Sequence, residues 1–138
     1  MKKIVFISCM AMIVFMMQSC FKRGNKLTYN EGELYFTEQV QKSDAEKLGK
    51  YLLNEGFFNG EKRTVQINKN GKTWEFRMVV KKGTETDDQY INLFGFFSLQ
   101  LSKAVFNNEP VDIHLCNEKL ETLKVIPFTG NKTENKAL

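Results

Sequence analysis

The spacing of apolar residues divides the middle of the chain into strands and helices. Residues 33–37 alternate, with Leu34 and Phe36 on one face, which is the period of a half-buried strand. A helix follows, because the segment Ser43-Asp44-Ala45-Glu46 fits a capping box and apolar residues recur at helical spacing until Gly56. The first predicted elements are therefore a strand and a helix.

An Asn70-Gly71 pair between two alternating segments predicts a β-hairpin. Asn-Gly suits a type I′ turn because both central residues need positive φ, and a turn at this point fixes the register. It would set Ile67 opposite Trp74 and Val65 opposite Phe76, with polar side chains on the other face. Two antiparallel strands are therefore expected here.

A second helix, rich in phenylalanine, is predicted to start near Thr86, where Thr86-Asp87-Asp88-Gln89 resembles a capping box. Its apolar residues recur at i, i+4 and i+7 and predict a broad buried stripe: Tyr90, Leu93, Phe94, Phe96, Phe97, Leu101, Ala104 and Val105. Gly95 in the middle costs about 1 kcal/mol against Ala. We therefore expect another element to pack closely at this glycine.

The order of elements predicts the fold class. Residues 111–116 alternate again, and a last strand is expected at 122–126. The order strand, helix, strand, strand, helix, strand is that of a ferredoxin-like α+β sandwich, with one added C-terminal strand. In this two-layer fold two helices cover one face of an antiparallel sheet. A different two-layer arrangement of the same elements is the alternative.

The first twenty residues have the composition of an export signal. Met1-Lys2-Lys3 precedes an apolar run from Ile4 to Met17, which is shorter than the ~20 residues of a spanning helix, and Gln18-Ser19-Cys20 follows. The segment resembles the type II signal peptide and lipobox of bacterial lipoproteins. The resemblance implies cleavage between Ser19 and Cys20 and attachment of diacylglycerol to the Cys20 sulfur. Ordinary signal cleavage and a retained anchor are the alternatives.

This signal suggests how the chain is organised. We expect a lipoprotein signal peptide at 1–19, a lipidated tether at 20–30, one α+β domain at 31–128 and a polar tail at 129–138. Such a protein would be membrane-anchored in a bacterium and would face the periplasm. No internal disulfide is expected, because Cys9 leaves with the signal and Cys20 carries lipid, which leaves Cys116 alone.

The mature part carries a second resemblance. Segments 32–37, 46–52, 55–58, 76–83 and 111–116 resemble a small bacterial domain of unknown function that recurs in membrane-tethered envelope proteins. The resemblance implies a discrete domain and no particular reaction. Nucleic acid is not an expected partner, because the net charge of +4 falls further when Lys2 and Lys3 are removed.

The candidate chemistry lies on one predicted strand. Asp112, His114 and Cys116 alternate along it, so their side chains should share a sheet face. A nucleophilic site needs the histidine within hydrogen-bond reach of the sulfur, whereas a strand spreads these groups in a row. A structural zinc site needs four Cys or His ligands, and the chain has a single histidine. We therefore expect no catalytic set, no metal and no cofactor.

The prediction for function is a binding or scaffolding module rather than an enzyme. The sheet face away from the helices would engage another envelope protein or the cell-wall polymer. Its candidate partner-binding residues are Tyr35, Gln66, Glu75, Arg77 and His114. The same residues could instead form an ordinary solvated surface. The alternative function is a small envelope enzyme that uses His114 and Cys116.

Overall fold

The computed structural model describes residues 23–130 as an α+β domain with a six-stranded mixed sheet and two α-helices. The strands are β1 Asn25–Tyr29, β2 Gly32–Phe36, β3 Arg63–Asn70, β4 Thr73–Val79, β5 Val111–Cys116 and β6 Thr122–Ile126. The helices are α1 Lys42–Asn54 and α2 Asp88–Ala104, with a short 3₁₀ turn at Thr84–Thr86. The predicted signal at 1–19, with its cleavage and lipidation site at Ser19 and Cys20, lies outside the described residues, as does the tail beyond Gly130. Within 23–130, neither helix has both the length and the apolar character needed to cross a membrane.

The strands lie in the sheet in the same order as in the sequence. Strands β2 and β3 are parallel and joined by α1, strands β4 and β5 are parallel and joined by α2, and the other neighbours are antiparallel. The α+β class with two helices is confirmed. The ferredoxin-like order of an antiparallel sheet is wrong for this chain. That order requires another strand between the two strands that each helix joins, whereas here each helix joins adjacent strands.

Both helices lie on the same face of the sheet. Phe57, just after α1, and Phe97 of α2 both pack edge-on against Phe76 of β4, with ring centroids 6.2 and 5.4 Å away. The two parallel strand pairs run in opposite directions, because β3 and β4 are antiparallel. With sequential strand order and a shared helix face, the two crossovers must therefore have opposite hands. Right-handed crossovers predominate strongly in known folds, so the sequence gives no reason to expect this topology.

The predicted hairpin between β3 and β4 is present, but its register differs. Asn70 extends β3 and pairs with Thr73, which leaves Gly71, with φ of 62°, as the first residue of a two-residue loop. Ile67 therefore lies opposite Phe76 rather than Trp74. Moving the turn by one residue shifts the pairing by two, so every side chain keeps its predicted face.

Strand β1 lies inside the predicted tether, so the tether boundary at residue 30 is wrong. The strand pairs antiparallel with β2 through a turn at Asn30 and Glu31, whose φ values of 44° and 69° suit a type I′ hairpin. Tyr29 packs against the core. A Cβ added to Gly49 of α1 would lie 2.2 Å from the Tyr29 ring. The glycine therefore lets α1 approach the edge strand closely.

The helix starts follow the sequence only in part. Helix α2 begins one residue after its predicted cap: Asp87 rather than Thr86 is the N-cap residue, and its side chain accepts a hydrogen bond from the backbone N–H of Gln89 at 2.9 Å. Helix α1 begins at Lys42 with Gln41 as its N-cap residue, and that side chain makes no capping bond. The capping box predicted at Ser43 is therefore not what starts α1.

The core lies between the sheet and the helices. Its fully buried side chains include Leu34, Leu48, Leu52, Ile67, Phe76, Leu101, Ile113 and Leu115. The second half of α2 is anchored to it, since the buried Ser98 and Ser102 hydroxyls donate to the carbonyls of Val111 and Glu109. This anchoring fixes strand β5, which carries the candidate histidine and cysteine.

Candidate functional site

The five candidate partner-binding residues all lie on the sheet face away from the helices, called the open face below. Strand pairing aligns Tyr35 with Gln66, Gln66 with Arg77 and Arg77 with His114, so these four form one row across β2 to β5. Glu75 lies two residues before Arg77 on the same strand and faces the same way. Alternation along each strand was sufficient to assign this face.

The middle of the open face is covered by the chain that enters β1. Gln66 is only 1% exposed, and its Nε2 donates to the carbonyl of Arg23, which lies over it, at 2.9 Å. The Arg23 guanidinium lies 5.6 Å from the centre of the Tyr35 ring. Gly24, with φ of 85°, makes the bend, and a Cβ there would lie 2.1 Å from the carbonyl oxygen of Phe36. We call Arg23–Gly24 the N-terminal strap.

The loop between β5 and β6, residues 117–121, covers the adjoining part of the open face. Arg77 Nη2 donates to the carbonyl of Leu120 at 2.6 Å, and Arg23 Nη2 donates to that of Glu118 at 3.2 Å. Leu120 is fully buried. The strap and the loop are thus joined to each other and to the sheet, and half-buried Tyr35, Glu75 and His114 remain partly accessible around them.

Glu75 is held by a chain of hydrogen bonds that the sequence did not indicate. Thr37 Oγ1 donates to Asn68 Oδ1 at 2.6 Å, and Asn68 Nδ2 donates to Glu75 Oε2 at 3.0 Å. Asn68 lies on the same face as Glu75, since the two are paired across β3 and β4. The polar alternation of β3 could have identified Asn68, and the alternation of residues 33–37 puts Thr37 on the same face, but neither pattern shows that the two side chains meet.

His114 is half-buried among polar groups. Its Nδ1 lies 3.1 Å from Thr122 Oγ1 and 3.5 Å from Arg77 Nη1. Burial lowers the pKa of His114 and the charge of Arg77 lowers it further, while Glu75 and Asp112 act in the opposite direction. The imidazole is therefore neutral at neutral pH and acts as a hydrogen-bonding group rather than as a cation.

Asp112, His114 and Cys116 share the open face, but their contacts do not form a catalytic relay. Cys116 is fully buried, and its Sγ donates to the carbonyl oxygen of His114 at 3.5 Å rather than to the ring. Burial raises the pKa of the Cys116 thiol, although Arg77 opposes the shift. The Asp112 carboxylate accepts from the backbone N–H of Phe128 at 2.9 Å. A buried thiol with a raised pKa is a poor nucleophile.

Metal binding gains no support from the described part of the chain. No group of three or more His, Cys, Asp or Glu side chains between residues 23 and 130 could hold an ion.

The first half of α2 forms an exposed surface that the sequence placed in the core. Tyr90, Leu93 and Phe96 are 47%, 58% and 69% exposed, and we call them the α2 patch. The prediction that they belong to a buried stripe is therefore wrong. The close packing expected at Gly95 is not found either, since nothing among residues 23–130 lies within 4 Å of a Cβ added there.

A groove of about 810 Å³ runs between the α2 patch and the strap. Tyr90 and Phe94 line one side, and Arg23 lies in the lining with Lys62 and Lys81. The groove lies where β4 ends, α2 begins and β3 starts, so it opens at one end of the sheet. Arg23 belongs to the open face and Tyr90 to the helix layer, so the groove passes around this end of the sheet from one face to the other.

Comparison with known proteins identifies a family. A family model described as a family N-terminal domain matches residues 26–126, which begins within β1 and ends with β6. The match supports a discrete domain whose molecular function is not characterised. No curated protein and no solved structure matches the chain significantly.

Proposed function

The chain belongs to the AF_1994_N family, and on that premise we propose that it is a lipoprotein that tethers a binding or scaffolding module to a bacterial membrane. The N-terminal resemblance to a lipobox supports an anchor at Cys20, facing the periplasm. The partner would be another envelope protein or the cell-wall polymer, bound at the open face.

The observation that carries this proposal is the fixed geometry of the open-face row. Arg77 is tied to the Leu120 carbonyl, Gln66 to the Arg23 carbonyl and Glu75 to Asn68. Ordering a long side chain on binding costs roughly 0.5–1.5 kcal/mol, and groups that are already held avoid much of this cost. Partly accessible Tyr35 and His114 flank the covered centre. A surface arranged in this way favours recognition of a defined partner over general solvation.

Crosslinking from intact envelopes tests the proposal. The Tyr35→Ala/His114→Ala variant should lose a partner that the wild type captures, because both side chains lie at accessible ends of the row. Arg77 is left unchanged, since its bond to the loop carbonyl makes it a structural residue as well. Lys50→Ala is the matched control, an exposed change on α1 across the sheet. An unchanged partner set in the double variant, with normal folding by circular dichroism, would rule out this surface.

The anchor is tested separately. Replacing Cys20 with serine should release the protein from the membrane fraction, because lasting attachment requires the acyl chains that the cysteine carries. Retention of this variant in washed membranes would contradict lipid anchoring.

The alternative, a small envelope enzyme using His114 and Cys116, gains no support from the contacts of the thiol. A catalytic thiol would be lost in Cys116→Ser as well as in Cys116→Ala, and its base would be lost in His114→Gln. If these variants fold and keep every phenotype of the wild type, the enzymatic alternative is ruled out.

A further inference from the structure

We propose that the open face is the side of the domain turned toward the bilayer, and that the partner bound there is a segment of a membrane protein lying at the bilayer surface. This inference rests on the lipid anchor at Cys20 in the proposed function. It goes further by assigning an orientation to the domain and by narrowing the partner to one class.

The first step is the face from which the anchored end of the chain leaves the domain. The Arg23 carbonyl accepts from Gln66 Nε2 at 2.9 Å, and the Arg23 guanidinium lies over the Tyr35 ring. Gln66 and Tyr35 belong to the open-face row, whereas both helices pack on the opposite face of the sheet. The chain that leads to Cys20 therefore departs from the open face.

The second step is the length of chain between the lipid and the domain. Three residue steps separate Cys20 from Arg23, and an extended chain spans at most ~3.6 Å per residue, so the reach is roughly 11 Å. A domain of about 100 residues has a radius of gyration of roughly 13 Å. A connection this short, fastened to one face, cannot pass around the domain and bring the helices to the bilayer. The helices must therefore lie on the side away from the lipid.

The third step is the chemistry of the open face, which does not suit lipid as the bound partner. Acidic and basic side chains are balanced on this face, namely Glu33, Glu75, Asp112, Arg23, Lys26 and Arg77. Attraction to anionic headgroups requires an excess of basic residues. Lys26 is paired with Glu33 at 3.5 Å, and Arg77 is held by the Leu120 carbonyl. Fixed polar groups of this kind suit a polypeptide, which supplies its own donors and acceptors.

The fourth step is the space beneath the open face. Where the strap leaves the sheet, the gap to the bilayer is no wider than the reach of the connection, roughly 11 Å. A single helix is ~10–12 Å across with its side chains, so a helix or a thinner extended segment fits this gap. A folded domain of ordinary size is too thick. The partner segment therefore lies close to the point where its own protein enters the membrane.

Energy transfer to lipid tests the orientation in the mature lipidated protein, reconstituted into phosphatidylcholine vesicles with an acceptor dye on some headgroups. A donor dye is attached at one of two exposed open-face positions, Thr28→Cys or Val125→Cys. Lys50→Cys and Lys103→Cys are the matched controls on the helices, because the thickness of a helix separates them from the sheet. Cys116 is fully buried and should remain unlabelled in the folded protein.

Energy transfer should be several-fold greater from positions 28 and 125 than from positions 50 and 103. Inserting about twelve Gly and Ser residues between Phe21 and Lys22 lengthens the connection by roughly 20 Å and should remove most of this difference. With the native connection, equal transfer from all four positions, or greater transfer from the helices, would overturn the inference. Circular dichroism of each labelled variant should match that of the parent.

Photo-crosslinking in intact envelopes tests the class of partner. A photoreactive residue replaces Val125, which pairs with His114 and shares its face, and Lys50 is the control position. Peptides captured at 125 and not at 50 should adjoin a membrane-spanning segment or a lipid anchor of the partner. The partner class is wrong if position 125 captures nothing, or only lipid, the cell-wall polymer or protein segments far from the membrane.

Mass spectrometry of the N-terminal peptide separates the inference from the proposed function. If Cys20 carries diacylglycerol and energy transfer is equal from both faces, the orientation is wrong while the anchor stands. If Cys20 carries no lipid, the anchor in the proposed function fails and the orientation fails with it.

Discussion

Two glycines inside helices provide a sharp test of how the domain is packed. Gly49 lies in α1 with the Tyr29 ring 2.2 Å from the position of an added Cβ. Gly95 lies in α2, and apart from the backbone of that helix nothing among residues 23–130 lies within 4 Å of its added Cβ. Both positions are interior to a helix, where Ala is favoured over Gly by about 1 kcal/mol. The same substitution should therefore have opposite effects at the two sites.

Gly95→Ala should raise the free energy of unfolding by about 1 kcal/mol, because the helix preference is its only contribution. Gly49→Ala gains the same preference but forces the Tyr29 ring to move by more than 1 Å, and overpacking of this kind costs about 1–3 kcal/mol. The Tyr29 ring is also stacked on Phe58, with centroids 6.0 Å apart. We expect Gly49→Ala to be about 1 kcal/mol less stable than the wild type.

Urea unfolding of the purified mature protein, followed by circular dichroism, measures both changes. The decisive control is the Tyr29→Ala background, in which Gly49→Ala should become stabilising because the ring is gone. If Gly49→Ala stabilises the wild type as much as Gly95→Ala does, the close contact between α1 and β1 is refuted. If Gly95→Ala destabilises the protein, the open space beside α2 is refuted instead.

Further predictions concern the titratable groups. His114 has a lowered pKa in the folded state, so the unfolded chain takes up a proton first as the pH falls below the ordinary value of 6.5. The free energy of unfolding should therefore fall as the pH falls through that range, and it should fall less in His114→Gln. Urea titrations at a series of pH values measure both. Glu109 accepts from Trp74 Nε1 at 2.6 Å and pairs with Lys69, which lowers its pKa. Its contribution to stability should be complete above the ordinary carboxyl pKa and should be lost as the pH falls through the lower folded value, so the advantage of wild type over Glu109→Gln should shrink in acid. Cys116 should resist alkylation by iodoacetamide in the folded protein and should react once urea is added. The mass of the intact protein measures the extent of alkylation. Rapid alkylation of the folded protein would contradict the burial of the thiol.

The sequence identified most elements because their periodic signals are strong. Alternation in residues 111–116 and the Asn70-Gly71 pair located strands close to where they lie, and the apolar stripe located α2. Strand β1 was missed for a physical reason. As an edge strand it has only two apolar side chains, Leu27 and Tyr29, which is too short a pattern to predict a strand. The turn that follows has Glu31 at positive φ, and glutamate is not a residue that indicates such a turn.

The candidate site could be predicted only as far as local pattern reaches. Alternation assigned Gln66 and Arg77 to the open face, since that depends on the strand period alone. It could not show that Arg23 and Leu120 cover them, because those contacts join segments far apart in the sequence. The exposure of Phe96 was hidden for the same reason, as periodicity shows an apolar stripe and not what lies against it.

The sequential order of the strands has a consequence for how the chain folds. Each strand pairs only with its neighbours in sequence, and the most distant partners, such as Gly32 with Arg63 and Trp74 with Val111, are separated by a single helix and its loops. No pairing has to bring the two ends of the domain together, so loop closure requires little entropy at any step. The two parallel pairings each span a helix, so they form more slowly than the two-residue hairpin of β3 and β4. The domain can therefore grow from its central hairpin outwards, and the edge strands β1 and β6 can join last.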